Sequence, residues 1–138
     1  MTPAENESLL AEQLMVLPTA IDRLQYLIDR SKNDPPLADA ERGDSQRVQG
    51  CQAQVWIAAG VVYGCWQFRS ECDAPMVKAV ARLLCEIYSG GTAEEIAAHQ
   101  TTLLDCTGIA QNLTPTRRQG AGRIEAKIRS YAKGGESG

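Results

Sequence analysis

The stretch VWIAAGVVYGCWQFR at residues 55–69 is rich in β-branched and aromatic residues, and glycines interrupt it. This composition is typical of two short strands separated by a turn. Trp66 and Phe68 alternate with polar neighbours, which indicates a strand with one buried face. A parallel pair would need a crossover connection of about a dozen residues or more, and none fits here. The stretch therefore predicts an antiparallel hairpin, with a third short strand near residues 47–50.

Helices are predicted on both sides of the hairpin. Apolar residues at helical spacing or helix-start signals occur at five places: Ser8 to Leu17, Ile21 to Ile28, Met76 to Ile87, Thr92 to Glu95, and Thr114 onward. Asp73 is expected to cap the helix that follows it, with Pro75 inside its first turn. Helices followed by a small sheet and then by more helices form an α+β order. The predicted fold is therefore α+β, with a small antiparallel three-stranded sheet packed against helices.

Length, composition and charge limit the classes of protein to which this chain can belong. Its 138 residues predict one domain, 1–138, with an N-terminal helix within 1–17 and a flexible tail at 133–138. A hydrophobic content of 43% supplies a core, which excludes a disordered chain. A net charge of -3 predicts no nucleic-acid partner, and the apolar runs are too short to cross a membrane. The first residues lack the regions of a secretion signal, so a cytoplasmic location is expected.

The five cysteines show no C-x-x-C pair and no zinc-ribbon spacing. In a reducing cytoplasm this pattern predicts neither a disulfide framework nor a structural zinc site. Cys65 and Cys85 lie in apolar segments and are expected to pack as small hydrophobic residues. Packing is also favoured for Cys106, at a helix end. Cys72 precedes a helix N-terminus, where the helix dipole favours a thiolate, and is a minor candidate for reactivity.

Cys51 has a different environment, within the stretch RVQGCQAQVWI at residues 47–57. Glutamines surround it, and no aliphatic cage is evident. Gly50 beside it removes a side chain, so that another molecule can approach the thiol closely. Alternatively, Gly50 supplies a bulge or a turn and the thiol points inward. These residues alone leave both interpretations open.

The stretch around Cys51 resembles the signature of the SufE family of sulfur-acceptor proteins, whose core reads glycine-cysteine-glutamine-x-x-valine-tryptophan. Three further segments resemble the family in the same order and spacing: CDAPMVKAVARLL at 72–84, YSGGTAEEI at 88–96 and LTPTRRQGAGRIEAKIR at 113–129. Together they cover nearly the whole chain. The chain is therefore identified from its sequence as a member of the SufE family.

The resemblance implies a function and a fold. SufE-like proteins accept sulfur, as a persulfide, from a cysteine desulfurase, an enzyme that uses pyridoxal phosphate. They pass the sulfur toward an iron–sulfur cluster assembly scaffold. The desulfurase expected here is SufS-like or CsdA-like, and this chain itself is expected to bind no cofactor. The fold implied is the α+β domain shared with the IscU scaffold proteins, with the acceptor cysteine on a loop at the edge of a small sheet.

By position in the resemblance, Cys51 is the sulfur acceptor, and Gly50, Gln52, Asp73 and Arg117 shape its loop or contact the desulfurase. Two of these residues also have ordinary structural interpretations. Asp73 is expected at least to cap a helix, and Arg117 can form a surface ion pair. Arg117 and the next residue put two cations at a helix start, which the helix dipole disfavours, so a functional role is preferred for Arg117.

Two other functions remain as alternatives. The chain could be an IscU-like cluster scaffold or a metal-binding protein that uses Cys51, Cys72 and Cys106, with His99 as a further ligand. It could also be a stand-alone cysteine enzyme, but no histidine is expected near Cys51, because His99 lies in a short polar helix and is expected on the surface. The chain is therefore interpreted as a sulfur-transfer protein that acts with another enzyme. Cys72 departs from the family, which commonly has serine there, and is predicted either to pack or to lie near Cys51.

Overall fold

The computed structural model describes residues 1–134. It consists of six α-helices, two β-strands and two short 3₁₀ turns within these residues. In chain order the elements are α1 (Pro3–Met15), α2 (Ala20–Ser31), a 3₁₀ turn (Asp39–Glu41), β1 (Val55–Val62), β2 (Cys65–Cys72), α3 (Pro75–Tyr88), α4 (Ala93–Ala98), α5 (Leu103–Cys106), a second 3₁₀ turn (Ala110–Asn112) and α6 (Pro115–Gly134). This order confirms the predicted α+β class.

The hairpin predicted from residues 55–69 is present. Val55 at the start of β1 pairs with Cys72 at the end of β2, and the register continues without interruption to the turn. Tyr63 and Gly64 form that turn with φ values of 51° and 78°. Positive φ at both positions is what a two-residue turn needs to match the twist of the strands. The turn chemistry therefore sets the strand register.

The predicted third strand is not a strand, and the sheet of the described residues has two strands instead of three. Arg47 forms a single bridge with Trp56. Two backbone bonds flank this bridge: the Val48 N–H donates to strand β1 at 2.9 Å, and the Ile57 N–H donates to the Gln46 carbonyl at 2.9 Å. The pairing stops there because the chain turns at Gly50, where φ is 82°.

The core lies between the hairpin and helices α3 and α6. Trp66 and Phe68 are buried, as their alternation predicts. Helix α6 presents Ile124 and Ile128, both fully buried, to this core. The Tyr131 hydroxyl also donates to the carbonyl of Ile57 in β1 at 2.7 Å. These contacts fix α6 against the sheet, and the N-terminal half of α6 is the part that reaches Cys51.

Most predicted helix starts are confirmed, and the exceptions are local. Thr19 caps α2, and Thr92 forms the predicted capping box of α4. The N-terminal helix begins earlier than Ser8, because Thr2 forms a capping box with Glu5. Ile21 is the first residue of the apolar spacing that predicts α2, and this spacing places it on the buried face of the helix; that placement is wrong, since the residue is 67% exposed.

The predicted C-terminal tail overlaps the last helix. Of the tail at 133–138, residues 133 and 134 belong to α6, and the remainder lies outside the described residues. Within residues 1–134, no helix has the length and apolar character required to traverse a bilayer.

Candidate functional site

The segment that carries Cys51 is attached to the hairpin at both ends. Val48 is buried, and its backbone N–H donates to β1. At the other end, the Gln54 N–H donates to Asp73 Oδ1 at 3.2 Å. Between these two points Gly50 adopts the left-handed conformation that favours glycine. The prediction that Gly50 supplies a turn is therefore confirmed, and the turn brings Cys51 beside α6.

The Cys51 thiol is half-buried and lines an open cavity of about 350 Å³. Its Sγ donates to the carbonyl oxygen of Gly120 in α6, at a distance of 3.8 Å. The walls of the cavity are the Cys51 loop, the first turn of α3 and the first two turns of α6. Because a helix N-terminus carries a partial positive charge, both helices favour an anion in this cavity.

Two opposing effects act on the pKa of Cys51. Burial raises the pKa, because removal of the thiol from water disfavours the charged thiolate. The Arg123 guanidinium lowers the pKa, but by less. The other titratable or charged groups around the thiol are Asp73 and Arg117 on the cavity wall and Cys72 at the end of β2. The net shift is upward, so the free chain holds Cys51 mostly as the neutral thiol at neutral pH.

Four of the five residues predicted for the site meet at this cavity. Cys51, Gln52, Asp73 and Arg117 all line it, although they come from three separate parts of the chain. Gly50 is adjacent to Cys51 but does not leave open space above it. The guanidinium of Arg123 occupies that space, so a molecule that approached Cys51 over Gly50 would have to displace this side chain.

Asp73 does not cap α3, contrary to the prediction. The residue at the N-cap is Ala74, and no side chain caps this helix. The Asp73 side chain instead accepts the hydrogen bond from Gln54. Its carboxylate therefore stabilises the C-terminal end of the Cys51 loop, which is a loop-shaping contact.

Arg117 makes no ion pair within residues 1–134, so the surface ion pair considered for it is not formed there. Its Nη1 donates to the Met76 sulfur at 3.3 Å, which connects α6 to α3 at the edge of the cavity. Its backbone N–H donates to Thr114 Oγ1 at 3.2 Å, as expected at a helix start. The Arg117 side chain is exposed, and its charge faces solvent beside the cavity that Cys51 lines.

Cys72 lies near Cys51 but faces another part of the molecule. It is buried, and its sulfur accepts the Ala74 N–H at 3.5 Å. Burial raises the pKa of Cys72 most, and Asp73 and Cys51 raise it further. Burial therefore outweighs the helix dipole that made Cys72 a candidate for reactivity. The cavity that Cys72 lines is a separate one, shared with α2.

The other cysteines and the histidine lie outside the Cys51 cavity. Cys85 is buried in α3, and burial raises its pKa to about 12. Cys65 is half-buried at the start of β2. The packing predicted for Cys106 is wrong, because this residue is exposed on α5. His99 is half-buried instead of lying on the surface, and its Nε2 contacts Glu7 Oε1 at 2.8 Å.

Comparison with known proteins shows the family of this chain. The family model described as SufE, an Fe-S metabolism associated domain, matches residues 8–132. The chain belongs to the SufE family. An uncharacterized SufE-like protein of Rhizobium etli is 31% identical over 117 residues, which are 81% of this chain and 79% of that protein. An uncharacterized SufE-like protein of Rhizobium meliloti is 29% identical over 118 residues, 82% of this chain and 84% of the relative.

A solved structure has the same fold as this SufE-family chain. It is the solution structure of a hypothetical protein from Thermus thermophilus, with a TM-score of 0.75 and 25% sequence identity. The similarity covers 96% of each chain. The α+β arrangement is therefore shared along almost the entire length, and the family description connects the chain with iron–sulfur metabolism.

Proposed function

We propose that this SufE-family chain accepts a sulfur atom on Cys51 from a SufS-like or CsdA-like cysteine desulfurase and delivers it to an iron–sulfur cluster assembly scaffold. The observation that carries the proposal is the position of the Cys51 thiol. It lines an open cavity together with Gln52, Asp73 and Arg117. The proposed location is the cytoplasm, where thiols stay reduced.

The proposed transfer is an exchange between sulfur atoms. The Cys51 thiolate attacks the terminal sulfur of a persulfide on the desulfurase, and a new sulfur–sulfur bond forms on Cys51. The bond between that sulfur and the desulfurase cysteine breaks, and the desulfurase cysteine leaves as a thiolate. No external oxidant or reductant is needed. Pyridoxal phosphate belongs to the desulfurase, where it supports the earlier release of sulfur from free cysteine.

The free chain is poorly prepared to start this attack. Burial holds the pKa of Cys51 above its ordinary value, and the nucleophile is the thiolate. His99 cannot act as a base here, because its ring contacts Glu7 instead of Cys51. We therefore propose that docking of the desulfurase moves the Cys51 loop and exposes the thiol where it reacts. This chain then acts as a sulfur-transfer component and an activator of the desulfurase, not as a stand-alone enzyme.

A cluster scaffold is the second function considered for this chain. It requires several thiolates or other ligands that converge on one metal centre. Within residues 1–134, no group of three or more histidine, cysteine, aspartate or glutamate side chains is arranged to hold a metal ion. Cys106, one of the three ligands proposed for such a scaffold, instead donates to Thr102 Oγ1 within the α5 region. The geometry therefore supports sulfur acceptance better than cluster ligation.

Intact mass spectrometry tests the proposed function. The reduced chain is incubated with a SufS-like or CsdA-like desulfurase and free cysteine, and its mass is recorded without reductant. We expect a gain of one sulfur atom, and no gain when cysteine is omitted. An unchanged mass with both desulfurases would contradict the proposal. Anaerobic incubation with iron and sulfide is the companion measurement, and a cluster spectrum on the chain alone would favour the scaffold function.

Alkylation with iodoacetamide tests the proposed exposure of Cys51. Because burial raises the pKa of Cys51, the free chain should react slowly at neutral pH. Its rate should rise with pH and level off only above the ordinary thiol pKa of about 8.5. A desulfurase whose own reactive cysteine is replaced by serine should accelerate the reaction at neutral pH. Equal rates with and without this inactive desulfurase would contradict exposure on docking.

A further inference from the structure

Arg123 is a charged residue of α6 that lies against the Cys51 loop and that sequence reasoning does not single out. Its guanidinium lies over the α-carbon of Gly50. A β-carbon built on Gly50 would lie 2.8 Å from Arg123 Nη1, 2.9 Å from Cζ and 3.0 Å from Nε. Because these three bonded atoms lie at similar distances, the flat face of the guanidinium lies against Gly50. This close approach needs a residue without a β-carbon.

Helix α6 places Arg123 there by its periodicity. Gly120, Arg123 and Lys127 are spaced three and four residues apart, so they share one face of the helix. Each contacts the segment before Cys51 or Cys51 itself. Lys127 donates to the Ser45 carbonyl at 2.5 Å, Arg123 covers Gly50, and the Gly120 carbonyl accepts from Cys51. The Cys51 segment therefore runs along this face, and Arg123 contacts the residue next to the acceptor.

The charge of Arg123 is not balanced by an ion pair within residues 1–134. The negative group that can lie beside Arg123 is the Cys51 thiolate, which forms only when the thiol loses its proton. An anion on Cys51 would therefore offset the positive charge of Arg123, and Arg123 in turn would stabilise the anion.

We infer that Arg123 is a positioning residue for sulfur transfer, whose guanidinium lies on Gly50 and stabilises the negative charge that Cys51 carries as thiolate and then as persulfide. The inference rests on the proposed function of Cys51 and adds a residue to it. A persulfide releases its proton more readily than a thiol, so the loaded sulfur is also an anion near neutrality. Gly50 then serves two purposes, since it makes the turn and admits the guanidinium.

The test compares variants of Arg123 in the free chain. Mass spectrometry measures the alkylation rate of Cys51 itself over a range of pH for wild type, Arg123→Gln and Arg123→Lys. We expect Arg123→Gln to raise the pKa of Cys51 and to slow alkylation at neutral pH by about two- to tenfold, where tenfold corresponds to one pKa unit. Arg123→Lys retains the charge and should react at a rate closer to wild type than to Arg123→Gln.

The matched control is Arg118→Gln, on the same helix. Arg118 lines a different cavity of α6 from the one that contains Cys51, so this variant should leave the pKa of Cys51 unchanged. Thermal denaturation of each variant confirms that it is folded. An unchanged pKa in Arg123→Gln would overturn the inference, and so would equal shifts in Arg118→Gln. A lysine variant that behaves like glutamine would also overturn it, because packing on Gly50 would then matter instead of charge.

These readouts separate the inference from the function on which it rests. The alkylation profile of the free chain involves no desulfurase, so it tests only the effect of Arg123 on the pKa of Cys51. Sulfur loading of wild type tests whether Cys51 is the acceptor. If loading succeeds and the profile of Arg123→Gln matches wild type, the function stands and the role of Arg123 is wrong. If the profile shifts and loading fails, the electrostatic contact stands and the sulfur-acceptor function is wrong.

Discussion

Replacement of Cys51 by serine is expected to abolish sulfur loading by the desulfurase. Serine keeps the size of the side chain and the donor to the Gly120 carbonyl, but it cannot form a persulfide. Two of the remaining cysteines are poorly placed to substitute. Cys85 is buried with a pKa of about 12, and Cys72 is buried with its pKa raised. Intact mass after incubation with desulfurase and cysteine should show no gain of sulfur.

The matched control for this experiment is Cys106→Ser. Cys106 is the most exposed cysteine among the described residues, so it is the thiol most open to nonspecific persulfidation. This variant should gain one sulfur as wild type does. Full loading of Cys51→Ser, or loss of loading in Cys106→Ser, would show that another thiol is the acceptor.

Truncation of Ile124 to alanine is expected to cause a large loss of stability. Ile124 is fully buried on the face of α6 that packs against the core. Removal of a buried isoleucine side chain to alanine costs about 2–5 kcal/mol, through lost burial and the cavity that remains. A domain of this size has a free energy of unfolding of about 5–15 kcal/mol, so a large part of it would be lost. Equilibrium unfolding in urea, followed by circular dichroism, measures the difference.

A change two residues away on the same helix should have the opposite sign. A β-carbon added to Gly122 meets nothing within 4 Å, and φ is not positive there. Alanine is favoured over glycine within a helix by about 0.5–1 kcal/mol. Gly122→Ala should therefore raise the free energy of unfolding. If Ile124→Ala and Gly122→Ala changed it equally, α6 would not be fixed by the packing described above.

Short-range signals allowed much of the fold to be predicted. The hairpin follows from β-branched and aromatic residues interrupted by glycine, and the starts of α2, α4 and α6 follow from Thr19, Thr92 and Pro115. Each of these features depends on neighbours within a few positions. The same dependence on near neighbours explains Ile21. Its spacing correctly places it in α2, but local sequence cannot show that no tertiary neighbour covers its side chain.

Long-range geometry limited the prediction of the site. The family resemblance predicts site roles for Cys51, Gln52, Asp73 and Arg117, and the structure brings these residues to one cavity. The resemblance did not reveal that Asp73 bonds to Gln54 instead of capping α3, because Gln54 lies 19 residues away in sequence and meets Asp73 only through the pairing of the hairpin. Arg123 was also missed, although its spacing of three residues from Gly120 places it on the same helix face. That spacing becomes informative only once the Cys51 loop is known to run along α6.

Direct localisation of the transferred sulfur is the decisive measurement. The chain is loaded by the desulfurase, separated from it, and treated with an alkylating reagent that preserves the sulfur–sulfur bond. Proteolysis and tandem mass spectrometry then identify the modified cysteine. The proposed function predicts the additional sulfur on Cys51 and unmodified thiols at Cys65, Cys72, Cys85 and Cys106. Sulfur recovered on one of those four cysteines, with Cys51 unmodified, would contradict it.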